Sequence, residues 1–119
     1  LAFYVGVLGL PTENEEAYNT GKAPFVSVRV NTTAIIDLFP LCKEEALMSH
    51  RESSNAGGLQ PHFCLATDRQ HWESICTRLA MNGIALDMEP TLLFGARGQG
   101  MSIYVRDPDG YRVELRYYP

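Results

Sequence analysis

Along this chain the spacing of apolar positions switches between helical and strand periods, and the same switch occurs twice. In residues 69–82, Trp72, Ile75, Cys76 and Leu79 recur every three or four positions, which predicts a helix burying that stripe. Thr67 or Asp68 supplies an N-cap and Gly83 a stop. Around it, alternating stretches predict strands near residues 62–66, 85–89, 101–106 and 111–118. The earlier part reads in the same order: a short helix over residues 1–7 stopped by Gly9, a polar segment through Lys22, then strands near 25–30 and 34–39. Residues 43–60 hold a short helix-like run and the Ser/Gly-rich stretch 53–58, which reads as a linker.

The best-defined local feature closes the chain. Asp107-Pro108-Asp109-Gly110 is turn chemistry: Pro108 fixes φ, the aspartates can bond nearby amides, and Gly110 tolerates the left-handed region. In the strand that follows, alternation puts Val113 and Leu115 on one face and Arg112, Glu114 and Arg116 on the other. A carboxylate at the inward end of such a hairpin makes Glu114 the first candidate for function.

Sliding the chain against itself reveals a weak duplication. At an offset of 77, Val28 aligns with Val105, Arg29 with Arg106, Ile36 with Val113, Asp37 with Glu114 and Leu38 with Leu115. At 74, Gly9-Leu10 aligns with Gly83-Ile84, so the second copy has three extra residues between helix and hairpin, where insertions are tolerated. The counterpart of the strand carrying His62 would fall about twelve residues before Leu1, so the opening strand of the first copy is expected to lie outside this chain. The division this gives is a single domain over residues 1–119: one module over about 1–42, a linker over about 43–60, and a second module over about 61–119.

Composition narrows the class. With 119 residues and 45% apolar content the chain can build a core without metal or disulfide staples. The formal charge of −4 gives neither half the basic character of a nucleic-acid binder, and no apolar run is long enough to span a bilayer. Three cysteines, Cys42, Cys64 and Cys76, without a Cys-x-x-Cys pair, fit reduced thiols in a soluble cytoplasmic protein, with Cys64 and Cys76 expected in the core.

The run Phe3-Tyr4-Val5-Gly6-Val7-Leu8-Gly9-Leu10, the strand-borne His62, and Ser102-x-Tyr104 followed by the Asp107–Gly110 turn and Val113-Glu114-Leu115 resemble the glyoxalase/bleomycin-resistance/extradiol-dioxygenase superfamily, the vicinal oxygen chelate proteins. The resemblance implies an α+β fold of paired βαβββ modules whose curled mixed sheets form a metal cleft. It also implies a divalent metal held from the first and last strands: His62 and Glu114 of module two, and Asp37 at the matching position of module one. The fourth ligand would sit on the strand missing from module one. Imidazole and carboxylate donors suit Zn, Ni, Mn or Fe(II), and open positions would let a substrate chelate through adjacent oxygens while the metal acts as a Lewis acid.

Other candidates surround that set. Arg97, in the glycine-rich stretch 95–100, could hold a substrate carboxylate or phosphonate bidentately or simply be a solvated loop charge. Ser102 and Tyr104 offer hydroxyls beside the cleft, while His50 and His71 read as surface residues. Two functions follow. In the first, the protein is a metal-dependent enzyme acting on a small oxygenated molecule, glyoxalase/lyase-like or thiol-transferase-like, with a dioxygenase ranked last and Glu114 or Asp37 moving a proton. In the second, it is a metal-free drug-binding and sequestering protein of the bleomycin-resistance type. The resemblance further implies a homodimer.

Overall fold

The computed structural model describes residues 1–40 and 62–119 and divides the chain into two compact units, Leu1–Met48 and Ser49–Pro119. The linker expected at 43–60, Cys42 and His50 lie outside the described residues. The fold is mixed α+β.

In the first unit, Ala2–Val7 forms a π-helical turn that buries Phe3, Tyr4 and Val7, with the Leu8 amide reaching back five residues to the Phe3 carbonyl at 3.0 Å. Gly9, at φ 80°, ends it. A short helix α1, Glu15–Asn19, occupies the segment expected to be merely polar. Strands β1, Val26–Arg29, and β2, Ile35–Leu38, then pair antiparallel.

The second unit has the order β3 (His62–Thr67), α2 (Arg69–Met81), β4 (Thr91–Gly95), β5 (Gly98–Arg106) and β6 (Arg112–Tyr117). Its strands form one sheet in the order β3-β6-β5-β4, with β3 parallel to β6 and the other pairs antiparallel. Helix α2 starts at Asp68, whose carboxylate accepts from the His71 amide at 2.9 Å, and stops before Gly83 at φ 67°. Its apolar stripe, Trp72, Ile75 and Leu79, is buried, and Trp72 donates its indole N–H to the Leu115 carbonyl at 2.9 Å, which ties helix to sheet. Ile103, Val105, Val113 and Leu115 share the face that α2 covers and are buried.

Two expectations need correction. The strand placed at 85–89 is instead β4, after Pro90; the earlier segment contributes a single backbone bond, from the Asp87 amide to the Tyr104 carbonyl at 2.8 Å. The cysteines are not core residues: Cys64 is exposed and Cys76 half-buried, because Cys64 lies on the sheet face opposite the helix.

The duplication extends to register and to charge. Val28 opposite Ile36 and Ser27 opposite Asp37 in the first unit correspond, at the same offset, to Val105 opposite Val113 and Tyr104 opposite Glu114. An ion pair repeats as well: Arg29 Nε to Glu13 at 2.7 Å in one unit, Arg106 Nε to Asp87 at 3.0 Å in the other.

Candidate functional site

On the sheet face of the second unit away from α2, strand alternation presents His62 and Cys64 from β3, Arg112, Glu114 and Arg116 from β6, and Ser102 and Tyr104 from β5. The registers bring them together: Cys64 and Tyr104 flank Glu114 from either side, and Ser102 lies opposite Arg116. Glu114 is only 4% exposed, so its charge needs partners.

It has them, and they divide its two oxygens. Oε1 accepts from Arg116 Nη2 at 2.6 Å, while Oε2 faces His62 Nε2 at 3.3 Å. Burial alone would raise the Glu114 pKa; the Ser102 hydroxyl, the Arg116 guanidinium and the Tyr104 hydroxyl outweigh it and hold the carboxyl below its ordinary value. The same crowding pushes the Cys64 thiol up to about 11, through desolvation first and the Glu114 carboxylate second. Tyr104 also rises, again through desolvation and then Glu114.

Arg116, which the sequence placed on this face without assigning it a task, is buried and donates its Nε to Ser102 Oγ at 2.8 Å. Its side chain lies across two glycines. A β-carbon on Gly95 would overlap Arg116 Nη1, and one on Gly100 would stand 2.9 Å from Arg116 Cγ and Cδ. The glycine-rich stretch around Arg97 is therefore a hairpin with a notch for Arg116. Arg97 itself stacks over the Tyr118 ring, 4.4 Å from its centroid. Arg112 stacks on Tyr104 at 4.1 Å, and its Nε is 3.2 Å from Asp87 Oδ2. His62 meets the same Tyr104 ring edge-on at 5.2 Å. Alternation in the sequence was signal enough to find both arginines.

Asp37 belongs to the first unit, where it is exposed on β2 and accepts from Ser27 Oγ at 2.6 Å. Among the described residues no three His, Cys, Asp or Glu side chains are grouped so as to hold a metal ion. His62 and Glu114 nevertheless fit one metal ion as a pair. Two donors bound at about 2.1 Å and subtending a tetrahedral or octahedral angle lie roughly 3.0–3.4 Å apart, and the atoms that face each other here are at 3.3 Å.

A family model described as Glyoxalase/Bleomycin resistance protein/Dioxygenase superfamily matches residues 1–115. Among solved structures, a glyoxalase/dioxygenase from Nostoc punctiforme superposes with a TM-score of 0.71 at 22% identity, covering 99% of this chain and 80% of that one. A virulence protein from Salmonella typhimurium gives 0.64 at 22% identity, over 99% and 84%. A lactoylglutathione lyase from Agrobacterium tumefaciens gives 0.57 at 24% identity, over 98% and 80%. These likenesses show the fold. No curated protein matches the chain.

Proposed function

This chain belongs to the glyoxalase/bleomycin resistance protein/dioxygenase superfamily, and from that premise we propose that it is a metal-dependent enzyme acting on a small oxygenated molecule. In this reading His62 and Glu114, both of the second unit, hold a divalent Zn, Ni, Mn or Fe(II) ion. The observation that carries the reading is the opposition of His62 Nε2 and Glu114 Oε2 at 3.3 Å on a carboxylate kept ionised despite its burial. When bound, the metal would supply Lewis acidity toward negative charge developing on the substrate's adjacent oxygens.

The chain's own groups have distinct tasks. Arg116 engages Oε1 of Glu114 and so leaves Oε2 as the oxygen turned toward His62. Tyr104 and Ser102, both buried, hold Glu114 in its charged form by turning their hydroxyls to it. Glu114 is the carboxylate of this face available to carry a proton between substrate atoms. Arg97, stacked on Tyr118, is a less direct candidate for substrate contact.

The test is elemental analysis of the protein beside His62→Ala and Glu114→Gln variants after loading with each metal. Stoichiometric uptake that both substitutions abolish is the expected result; equal uptake by parent and variants would overturn the ligand assignment. A second reading, a metal-free small-molecule binder, has its own support, because Arg116 already balances the Glu114 charge at 2.6 Å. Failure of the parent protein to take up any of the four metals would favour it. In either reading the functional unit is a homodimer, for which light scattering should return twice the chain mass.

A further inference from the structure

Beside this site stands a guanidinium that the hairpin does not need. The first unit closes with one pair, Glu13 with Arg29, and the second repeats it as Asp87 with Arg106. The second unit then adds Arg112 against the same Asp87 oxygen at 3.2 Å. The equivalent position in the first unit is Ile35, opposite Arg29 just as Arg112 is opposite Arg106, so a hairpin of this design forms without a second cation. One carboxylate oxygen of Asp87 thus faces two guanidiniums, and Arg112 brings a positive charge that the first hairpin lacks. Glu114 does not absorb it, because Arg116 is its partner.

The added cation is also oriented. Its Nε is buried without a hydrogen bond, a state that proteins rarely tolerate and that a ligand can relieve. Among the described residues the Arg112 side chain makes the Asp87 ion pair and the Tyr104 stack but no hydrogen bond, so the terminal nitrogens of its fork remain available. Stacking at 4.1 Å fixes the guanidinium plane, and the same Tyr104 ring touches His62. A planar fork with free donors is the geometry that matches a carboxylate through two parallel bonds.

We infer that Arg112 recognises a carboxylate of the substrate, so that the ligand of this face is a small oxygenated acid carrying its anionic group next to its adjacent oxygens. The inference rests on the reading of this face as the substrate face, and it is tested without metal so that the two can fail separately. Metal-free protein is titrated with glycolate and, as its uncharged match, ethylene glycol, with binding followed by amide and arginine side-chain NMR shifts. Glycolate should bind the parent on the order of tenfold more tightly, as a charge-assisted bond requires, and Arg112→Gln should bring the two ligands to near parity. The Arg112 Nε–H resonance of the unaltered protein should move with glycolate, which keeps the test decisive if the variant does not fold. A parent without preference, a preference that survives in folded Arg112→Gln, or an unmoved Arg112 resonance would each overturn the inference. A protein that takes up no metal yet shows the preference would remove the metal reading and leave this one standing.

Discussion

Gly95→Ala isolates the role of Arg116, because the clash it creates is almost entirely with that side chain. The added methyl would overlap Arg116 Nη1 and stand 2.7 Å from Cζ and 2.8 Å from the Tyr118 hydroxyl. The guanidinium must move, and it is pinned by two bonds, to Glu114 at 2.6 Å and Ser102 at 2.8 Å. Losing charge-assisted bonds to a buried carboxylate costs about 3 kcal/mol, between the value of one such bond and that of a broken buried ion pair. Replacing glycine where φ is not left-handed returns about 0.5–1 kcal/mol through the unfolded state. The expected net loss is therefore about 2–3 kcal/mol in urea unfolding. In an Arg116→Met background the guanidinium clash is gone, since methionine ends near where Nε now lies, and the remaining 2.8 Å approach is to the Tyr118 hydroxyl, the far end of a side chain that can shift, so Gly95→Ala should be close to neutral. The cycle should give a coupling of about 2 kcal/mol or more. Additivity within about 0.5 kcal/mol would refute the reasoning. Gly100→Ala is the control: its methyl also meets the Tyr117 carbonyl at 2.9 Å, a backbone atom that Arg116→Met does not remove, so it should destabilise in both backgrounds.

Further outcomes follow from the same face and its support. Because the Glu114 pKa is lowered in the folded protein, its stabilising contribution is complete above the ordinary value of 4.5 and is lost as pH falls through the folded value. The melting-temperature gap between metal-free parent and Glu114→Gln should thus be constant near neutrality and shrink in acid; a gap that widens on acidification would contradict the assignment. Cys64, with its thiol pushed up to about 11, should alkylate slowly at pH 8 despite its exposure, and faster in Glu114→Gln, as read by peptide mass spectrometry; rapid alkylation in the parent would mean that the carboxylate does not suppress its thiolate. Trp72→Phe removes the bond to the Leu115 carbonyl and should cost about 1–3 kcal/mol in urea unfolding, an unchanged midpoint being the opposing result.

What could be read from the sequence was local or periodic. The cap at Asp68, the stop at Gly83 and the Asp107 turn each depend on residues within a few positions of one another, and the structure forms all three. The placement of Arg112, Glu114 and Arg116 on one face required only alternation. What escaped depended on distant partners. Residues 85–89 alternate like a strand, but β5 finds its neighbour in β4, beyond Pro90. Glycines 95, 98 and 100 read only as a glycine-rich loop because the side chain that requires two of them, Arg116, is sixteen or more residues away in sequence. The pairing of His62 with Glu114 came from family resemblance, since a parallel strand pair separated by a helix leaves no local signature.

The duplication explains how one backbone supports two different carboxylates. Asp37 and Glu114 occupy equivalent register positions, each opposite a hydroxyl-bearing residue, Ser27 or Tyr104. Their neighbours differ. Where the second unit sets Ser102 against Arg116 at 2.8 Å, the first has Phe25 against Phe39, with ring centroids 4.3 Å apart. Where the second has Arg112, the first has Ile35. A carboxylate flanked by apolar rings has no cation to sustain its charge away from water, and Asp37 is exposed; Glu114, one methylene longer and backed by Arg116, is ionised while buried. The electrostatic work of the second face thus comes from residues at positions 102, 112 and 116 rather than from the repeated carboxylate alone. Transferring Phe39→Arg and Phe25→Ser together should therefore give Asp37 an ion-pair partner, read in urea unfolding as a coupling between positions 37 and 39 when Asp37→Asn is added to the double variant, whereas either change alone leaves the new polar group without its partner; additivity of Asp37→Asn with the double variant would show that the surrounding backbone, not these neighbours, sets the difference.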